Sequence, residues 1–356
     1  MGPLAFGIAA LAASTFIAMQ DNGLRMPARE TVSVPQVATG PAEVQPTRIV
    51  PPPKPKADGP AIIKVQPEPA APGGTIVIRD PSALERNPRT AHLPVREMIE
   101  DSPIGPLPIR AADGRRPFDV YSGAWSGSRG AKVALVVGGM GLSQTGTQAA
   151  INALPPEVTL GFASAGNSLS RWMQSARQKG HEIVMQVPME PFDYPAVDPG
   201  RNPLTVDAAP EENLDDLHWA LSRTTNYTGI MNYMGGRFVT EREAMTPVMQ
   251  DLGTRGLMYL DDGTSARSVA SELALASGVP FAAADAMIDG VRERGDILKK
   301  LDQLEATARA KGSAIGIGSA FDLTVATVTS WIAEAKKRGI EIVPVSALAS
   351  DPEAGR

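Results

Sequence analysis

With 356 residues, 43% of them apolar, the chain is long enough for one large or two ordinary domains with a real core. A formal charge of −5 leaves no basic surface to attract nucleic acid. The absence of cysteine excludes disulfides, a thiolate nucleophile and zinc–cysteine sites, and only three histidines, His92, His181 and His218, are available as imidazole ligands.

The first element in chain order is the uncharged apolar run Leu4–Met19, which reads as a membrane anchor or a signal segment over residues 1–20. Residues 21–84 are rich in Pro and Ala, as in VPPPKPKADGPAIIKVQPEPAAPGG. Such a stretch has too few core-forming side chains to offset its ordering entropy, so it is expected to be a disordered, semi-rigid linker. An anchor followed by a spacer and a globular domain suits the periplasmic face of the cell membrane, or the periplasm if the N-terminal segment is cleaved. Residues 85–128 carry a short helical pattern at Val95–Glu100 and a turn at Asp113-Gly114, and read as an extension packing on the domain that follows.

From about residue 129 to 350 the pattern alternates. Strand-like runs occupy 132–137, 158–163, 181–187, 229–233, 257–260, 279–283, 314–318 and 340–345. Amphipathic helical patterns lie between them at 144–153, 168–179, 211–223, 241–254, 266–276, 296–310 and 323–338. Several of these end in glycine, as at Gly256 and Gly312. The alternation predicts an α/β fold with a parallel sheet closed, or nearly closed, into a barrel, with a doubly wound open sheet as the alternative.

In a barrel of this order, sites form where the strands end. The first strand runs into Gly138 and Gly139, where an enzyme would place an acid or a metal ligand. The other strand ends supply Gln186 and Glu190, then Asn232 and Tyr233, then Asp261 and Asp262, then Asp285 and Asp289, and finally Ser319. Glu190, Asp261 and Asp285 are candidate catalytic carboxylates, since grouped acids can share a proton or hold a hard cation. The competing reading is that Asp261 caps the turn DDGTS and Asp285 caps a loop. His181 precedes its strand and so falls at the opposite end, where a structural role is expected. Among the aromatic residues, Trp172, Tyr194, Tyr227, Tyr233 and Trp331 are candidates for stacking on sugars or for packing.

The segments ALVVGGMGLS, GHEIVMQVPMEPFDY, GIMNYMGGRF, LMYLDDGTS, ADAMID and SAIGIGSA together resemble the divergent polysaccharide deacetylase family, over about Lys132 to Leu348. The resemblance implies a deformed (β/α) barrel of the polysaccharide deacetylase type, an envelope location, and descent from metal-dependent sugar deacetylases. It also exposes departures. The family's paired acids in the first motif fall at Gly138 and Gly139, and imidazole positions fall at Gln186, Tyr233 and Ser319. Amide deacetylation needs a Lewis-acid cation with a bound water and a base, and these replacements are poor ligands. The expectation is therefore a noncatalytic pseudoenzyme without a metal or other cofactor, binding glycan or cell-wall proteins. Gly138, Gly139, Gln186, Asn232, Tyr233, Asp262 and Ser319 are the glycan-contacting candidates. One alternative is an active hydrolase that uses Glu190, Asp261 and Asp285 with relocated Zn or another divalent cation. The other is a structural or regulatory partner in cell-wall assembly.

Overall fold

The computed structural model describes residues 90, 92–127 and 129–354; the expected anchor (1–20) and linker (21–84) lie outside the described residues. The extension contributes strands β1 (Ile99–Ser102) and β2 (Gly105–Pro108) and a short helix α1 (Pro117–Tyr121). The repeating part then runs β3 (Lys132–Met140), α2 (Gln144–Ala153), β4 (Thr159–Ala163), α3 (Leu169–Gln178), β5 (Ile183–Met189), α4 (Pro210–Leu221) and β6 (Gly229–Met234). It continues with α5 (Arg242–Arg255), β7 (Met258–Asp261), α6 (Ala270–Ser277), β8 (Phe281–Ala283) and β9 (Ala286–Met287). The last elements are α7 (Arg294–Lys311), β10 (Ser313–Ser319), α8 (Asp322–Lys337) and β11 (Glu341–Val343).

All pairings in the large sheet are parallel, in the order β8-β7-β6-β5-β4-β3-β10-β9. Its two edge strands, β8 and β9, are consecutive in the chain and separated only by Ala284 and Asp285. The link from Ala283 to Ala286 is three Cα steps, roughly 11 Å at most, so the sheet has to curl until its edges nearly meet. This is the expected barrel, closed by the chain itself rather than by a hydrogen-bonded ladder, and the open doubly wound alternative is excluded. β11 pairs with the first half of β3 while β4 pairs with its second half, so the barrel is forked at its N-terminal end.

Side-chain parity separates two cores. Val133, Leu135 and Val137 of β3 join helix residues such as Ile151 and Ile332 in the outer layer. Ala134 and Val136 face inward with Val184, Met231, Met258, Leu260, Ile315 and Ile317. Helices α5 and α7 stop at Gly256 (φ +70°) and Gly312 (φ +92°), a left-handed conformation that costs glycine little.

The extension departs from its expected helical pattern. Only Arg96–Met98 forms a helical turn, and Ile99 and Glu100 enter the β1–β2 hairpin. A six-residue window cannot separate one helical turn from a strand, and pairing with β2 decides the outcome here. Phe118 of α1 joins the inner core and plugs the N-terminal end of the barrel. Arg116 holds this segment in place, pairing with Asp119 and with Asp351 of the C-terminal tail at 2.7 Å each.

The same end contains a buried carboxylate. Glu182, fully buried, accepts from Thr159 Oγ1 (3.1 Å), the Ser346 N–H (3.1 Å), the Gly123 N–H (2.7 Å) and Ser346 Oγ. His181 is buried beside it in sequence, with Nδ1 2.9 Å from the Val158 carbonyl oxygen. Burial pushes its pKa down despite that contact. Its expected structural role at this end agrees with that geometry.

Candidate functional site

Continuing the inward parity toward the C-terminal strand ends gives Gly138 on β3, Gln186 on β5, Tyr233 on β6, Asp262 just past β7 and Ser319 on β10. These residues, with Gly139 and Asn232, line one cavity of about 260 Å³. The seven glycan-contacting candidates are thus brought together. Met231 and Ile317, the inward residues one step below, form its apolar floor, and Leu142, Met287 and Phe321 form walls that the sequence reading missed. Parity alone would have found Met231 and Ile317. Leu142 and Phe321 sit on loops, where no periodicity marks them.

Gln186 is the central polar group. Its Oε1 accepts the Gly139 N–H at 2.6 Å. To reach Gly139 it must cross β4, and the inward residue there is Gly161, where a Cβ would meet Gln186 Cγ and Cδ at 3.4 Å. At Gly138 a Cβ would lie 2.7 Å from Gln186 Nε2. Gly139 itself has φ +77°, a backbone that a side chain would strain. The glycines are therefore what allows the glutamine to lie flat across the strands.

Asn232 contributes less to the cavity than its position suggested. Its Oδ1 accepts the Asp262 N–H (2.9 Å) and its Nδ2 donates to the Met234 carbonyl (2.7 Å). It ties the ends of β6 and β7 together and supports Met234, which is held at φ +59°. Asp262 accepts the Thr264 N–H at 2.8 Å, and burial pushes its carboxyl pKa up, with the neighbouring Asp261 charge adding to the effect. Ser319 is fixed through its N–H, which donates to Asp289 Oδ2 at 2.7 Å. Tyr233, Leu142 and Phe321 are 43%, 61% and 44% exposed, so the mouth of the cavity is apolar and aromatic. The Arg292 guanidinium stacks over the Phe321 ring at 4.6 Å.

The three candidate catalytic acids do not meet in this cavity, and the expected acidic basin is corrected accordingly. Glu190 is buried, with Oε2 accepting the Val206 N–H at 2.6 Å and Oε1 paired with Arg237. Asp261 caps the DDGTS turn, accepting from the Gly263 N–H (2.9 Å) and Ser268 Oγ (2.5 Å). Asp285 accepts the Ile315 N–H at 2.9 Å, in the middle of β10 and away from the strand ends. Asp261 thus caps its turn, as the competing reading had it, whereas Asp285 is held by the neighbouring strand β10 rather than capping its own loop, and Glu190 is held by Val206 and Arg237. Of the aromatic candidates, Trp172, Tyr227 and Trp331 are core residues, whereas Tyr194 and Tyr233 are exposed.

The residues do not fit a divalent cation. Of the cavity's side chains only Asp262 is a carboxylate; Gln186 has its oxygen committed to Gly139, and both ends of the Asn232 amide are taken. Among the described residues no three His, Cys, Asp or Glu side chains come together in a metal-binding group. Zinc takes four N, O or S ligands and the harder cations take six or more oxygens.

Residues 135–349 match the model of a family described as divergent polysaccharide deacetylase. An uncharacterized protein of Haemophilus influenzae is 28% identical over 201 residues, covering 56% of this chain and 71% of that protein. The uncharacterized protein YibQ of Escherichia coli K12 is 24% identical over 201 residues, and the match spans 62% of its length. A crystal structure of an uncharacterized protein from Agrobacterium tumefaciens C58, 55% identical, aligns with a TM-score of 0.67 over 68% of this chain and 99% of that one.

Proposed function

Since the chain belongs to the divergent polysaccharide deacetylase family, we propose that it is a noncatalytic cell-envelope module whose cavity binds one uncharged sugar unit of a cell-wall or other glycan. The observation that carries this reading is the cavity's composition. It combines a few polar groups, on Gln186, Asp262, Ser319 and Tyr233, with apolar walls and an aromatic mouth. Small-molecule sites have this character, and a volume of about 260 Å³ falls just below their usual range of roughly 300–1,000 Å³. It suits a single ring-sized moiety rather than a buried chain. Hydrolysis would need a base and a polarising cation at the bond to be cut. The acids that would supply them are held by backbone N–H groups and neighbouring side chains. In this reading Leu4–Met19 anchors the protein and the Pro-rich residues 21–84 hold the barrel off the membrane, on its periplasmic face.

The test is titration of the full chain, in detergent, with soluble peptidoglycan fragments and chitin-type oligomers, followed by tryptophan and tyrosine fluorescence. Acetate release is measured in parallel. Saturable binding that weakens about ten-fold in Tyr233→Ala or Asp262→Ala, without acetate release, supports the reading. Acetate release abolished by the same substitutions overturns it, as does a folded protein that binds neither probe.

A further inference from the structure

We propose that Gln186 sets the specificity of this cavity: wedged over Gly161 and Gly138 and locked by the Gly139 N–H, its carboxamide keeps a divalent cation out and offers a fixed N–H donor to an uncharged ligand. The inference rests on the cavity being the ligand site, as proposed above.

The identity of the two amide ends follows from chemistry. A backbone N–H only donates, so the amide atom 2.6 Å from Gly139 N has to be the oxygen. The NH₂ is then the other end, and no hydrogen bond occupies it among the described residues. Gln186 lines the cavity, so this donor is available to a ligand. An NH₂ has no lone pair to offer a cation, and its partial positive charge opposes the pull of Asp262 on the same cavity. A hydroxyl or carbonyl oxygen of a neutral ligand meets it favourably.

The glycines make this arrangement exclusive. A Cβ at position 138 would stand 2.7 Å from Nε2, so Gln186 in this pose and a side chain at 138 cannot coexist. The family resemblance implies an acid at position 138. The glutamine thus occupies the space that an acid would need, and the missing acid and the added amide form one physical change.

Gln186→Glu is the decisive variant. It keeps the shape and the bond from Gly139 but replaces the NH₂ with a carboxylate oxygen in the cavity that Asp262 also lines. The full chain, its fold checked by circular dichroism and melting, is dialysed against Mn²⁺ or Zn²⁺ alone and analysed for metal. Gln186→Glu is expected to retain about one equivalent, as two carboxylates can support a hard cation. Wild type and Gln186→Met are expected to retain none. Adding Asp262→Asn to Gln186→Glu is expected to abolish retention. If Gln186→Glu fails to fold, Gln186→Ala/Gly138→Asp serves instead: with the glutamine gone the space at 138 takes an acid beside Asp262, and this variant is expected to retain about one equivalent of Mn²⁺. Equal metal retention by wild type and a folded Gln186→Glu, or by wild type and a folded Gln186→Ala/Gly138→Asp, overturns the assignment. Failure of the glycan titration alone would sink the glycan reading and leave the metal result standing. Glycan binding without the metal switch would sink only the role of Gln186.

Discussion

Glu182 and Gln186 stand four residues apart on the same strand line with the same inward parity, and the two ends of the barrel treat them in opposite ways. At the N-terminal end four donors converge on the Glu182 carboxylate, and Phe118 and the Arg116 ion pairs seal the opening. At the C-terminal end Gln186 is half engaged, glycines replace side chains, and the surrounding loops expose Leu142, Tyr233 and Phe321. A fully satisfied buried polar group rigidifies a fold, whereas one with an uncommitted donor facing a cavity is available to a ligand. One end of the strand therefore maintains the barrel, and the other keeps an uncommitted donor in the cavity proposed as the ligand site.

Substitutions at the two ends should separate these roles, beginning with the largest effect. Glu182→Ala would strand four donors in the interior and is expected to cost about 3 kcal/mol or more in urea unfolding, with ligand affinity of the folded fraction unchanged. A near-neutral result would mean that water satisfies those donors and that this end is not sealed. Phe118→Ala should cost about 3 kcal/mol by the same measurement, since it removes the plug of the inner core. At the other end, Gly138→Ala is expected to cost only about 1–2 kcal/mol, because the atom it meets is the tip of a flexible side chain. Adding Gln186→Ala should recover about 1 kcal/mol of that loss in a double-mutant cycle. Strict additivity would show that the two positions do not compete for space.

The smallest contrast is in pH dependence, and it has opposite signs at the two ends. Burial lowers the His181 pKa, so below about pH 6.5 the unfolded chain takes up a proton that the folded one refuses. His181 therefore removes stability as pH falls through that value. Burial raises the Asp262 pKa, so between that raised value and the ordinary carboxyl value near 3.8 the folded chain binds the extra proton. The cost of its charge is present in full above the folded pKa and is relieved as pH falls. Asp262→Asn should accordingly raise the melting temperature slightly at pH 7 and lose that advantage near pH 3.5. A lower melting temperature at pH 7 would show that the carboxylate is stabilising and that burial is not its dominant environment.

Much of this architecture is legible in the sequence because apolar runs of strand length alternate with 3.6-residue helical patterns, although the two-residue β9 leaves no such signal. Placing Gly138, Gln186, Tyr233, Asp262 and Ser319 at strand ends was enough to gather them around one cavity. The part that was not legible depends on which backbone N–H a side chain finds. Nothing in their spacing tells whether Glu190, Asp261 and Asp285 face a ligand or are held within the fold: Asp261 caps its own turn, while Glu190 and Asp285 find donors 16 and 30 residues away. The Gln186–Gly139 bond was hidden for a related reason: it crosses β4 and depends on Gly161, whose importance lies in an absent side chain. The β1–β2 hairpin was missed because its short segments pair with each other more strongly than either expresses a period.

The seam of the barrel has a consequence for how these molecules behave beside one another. Free strand edges invite neighbouring chains to zip on, a hazard for any protein concentrated at a surface. Here β8 has three residues and β9 two, and the Ala284-Asp285 link keeps both edges turned toward each other. The tail covers what remains, as Phe281 and Ser350 exchange both backbone hydrogen bonds, at 2.9 and 2.8 Å. The β8–β9 seam therefore offers little template for a foreign strand, so crowding should not drive these barrels into shared sheets along it.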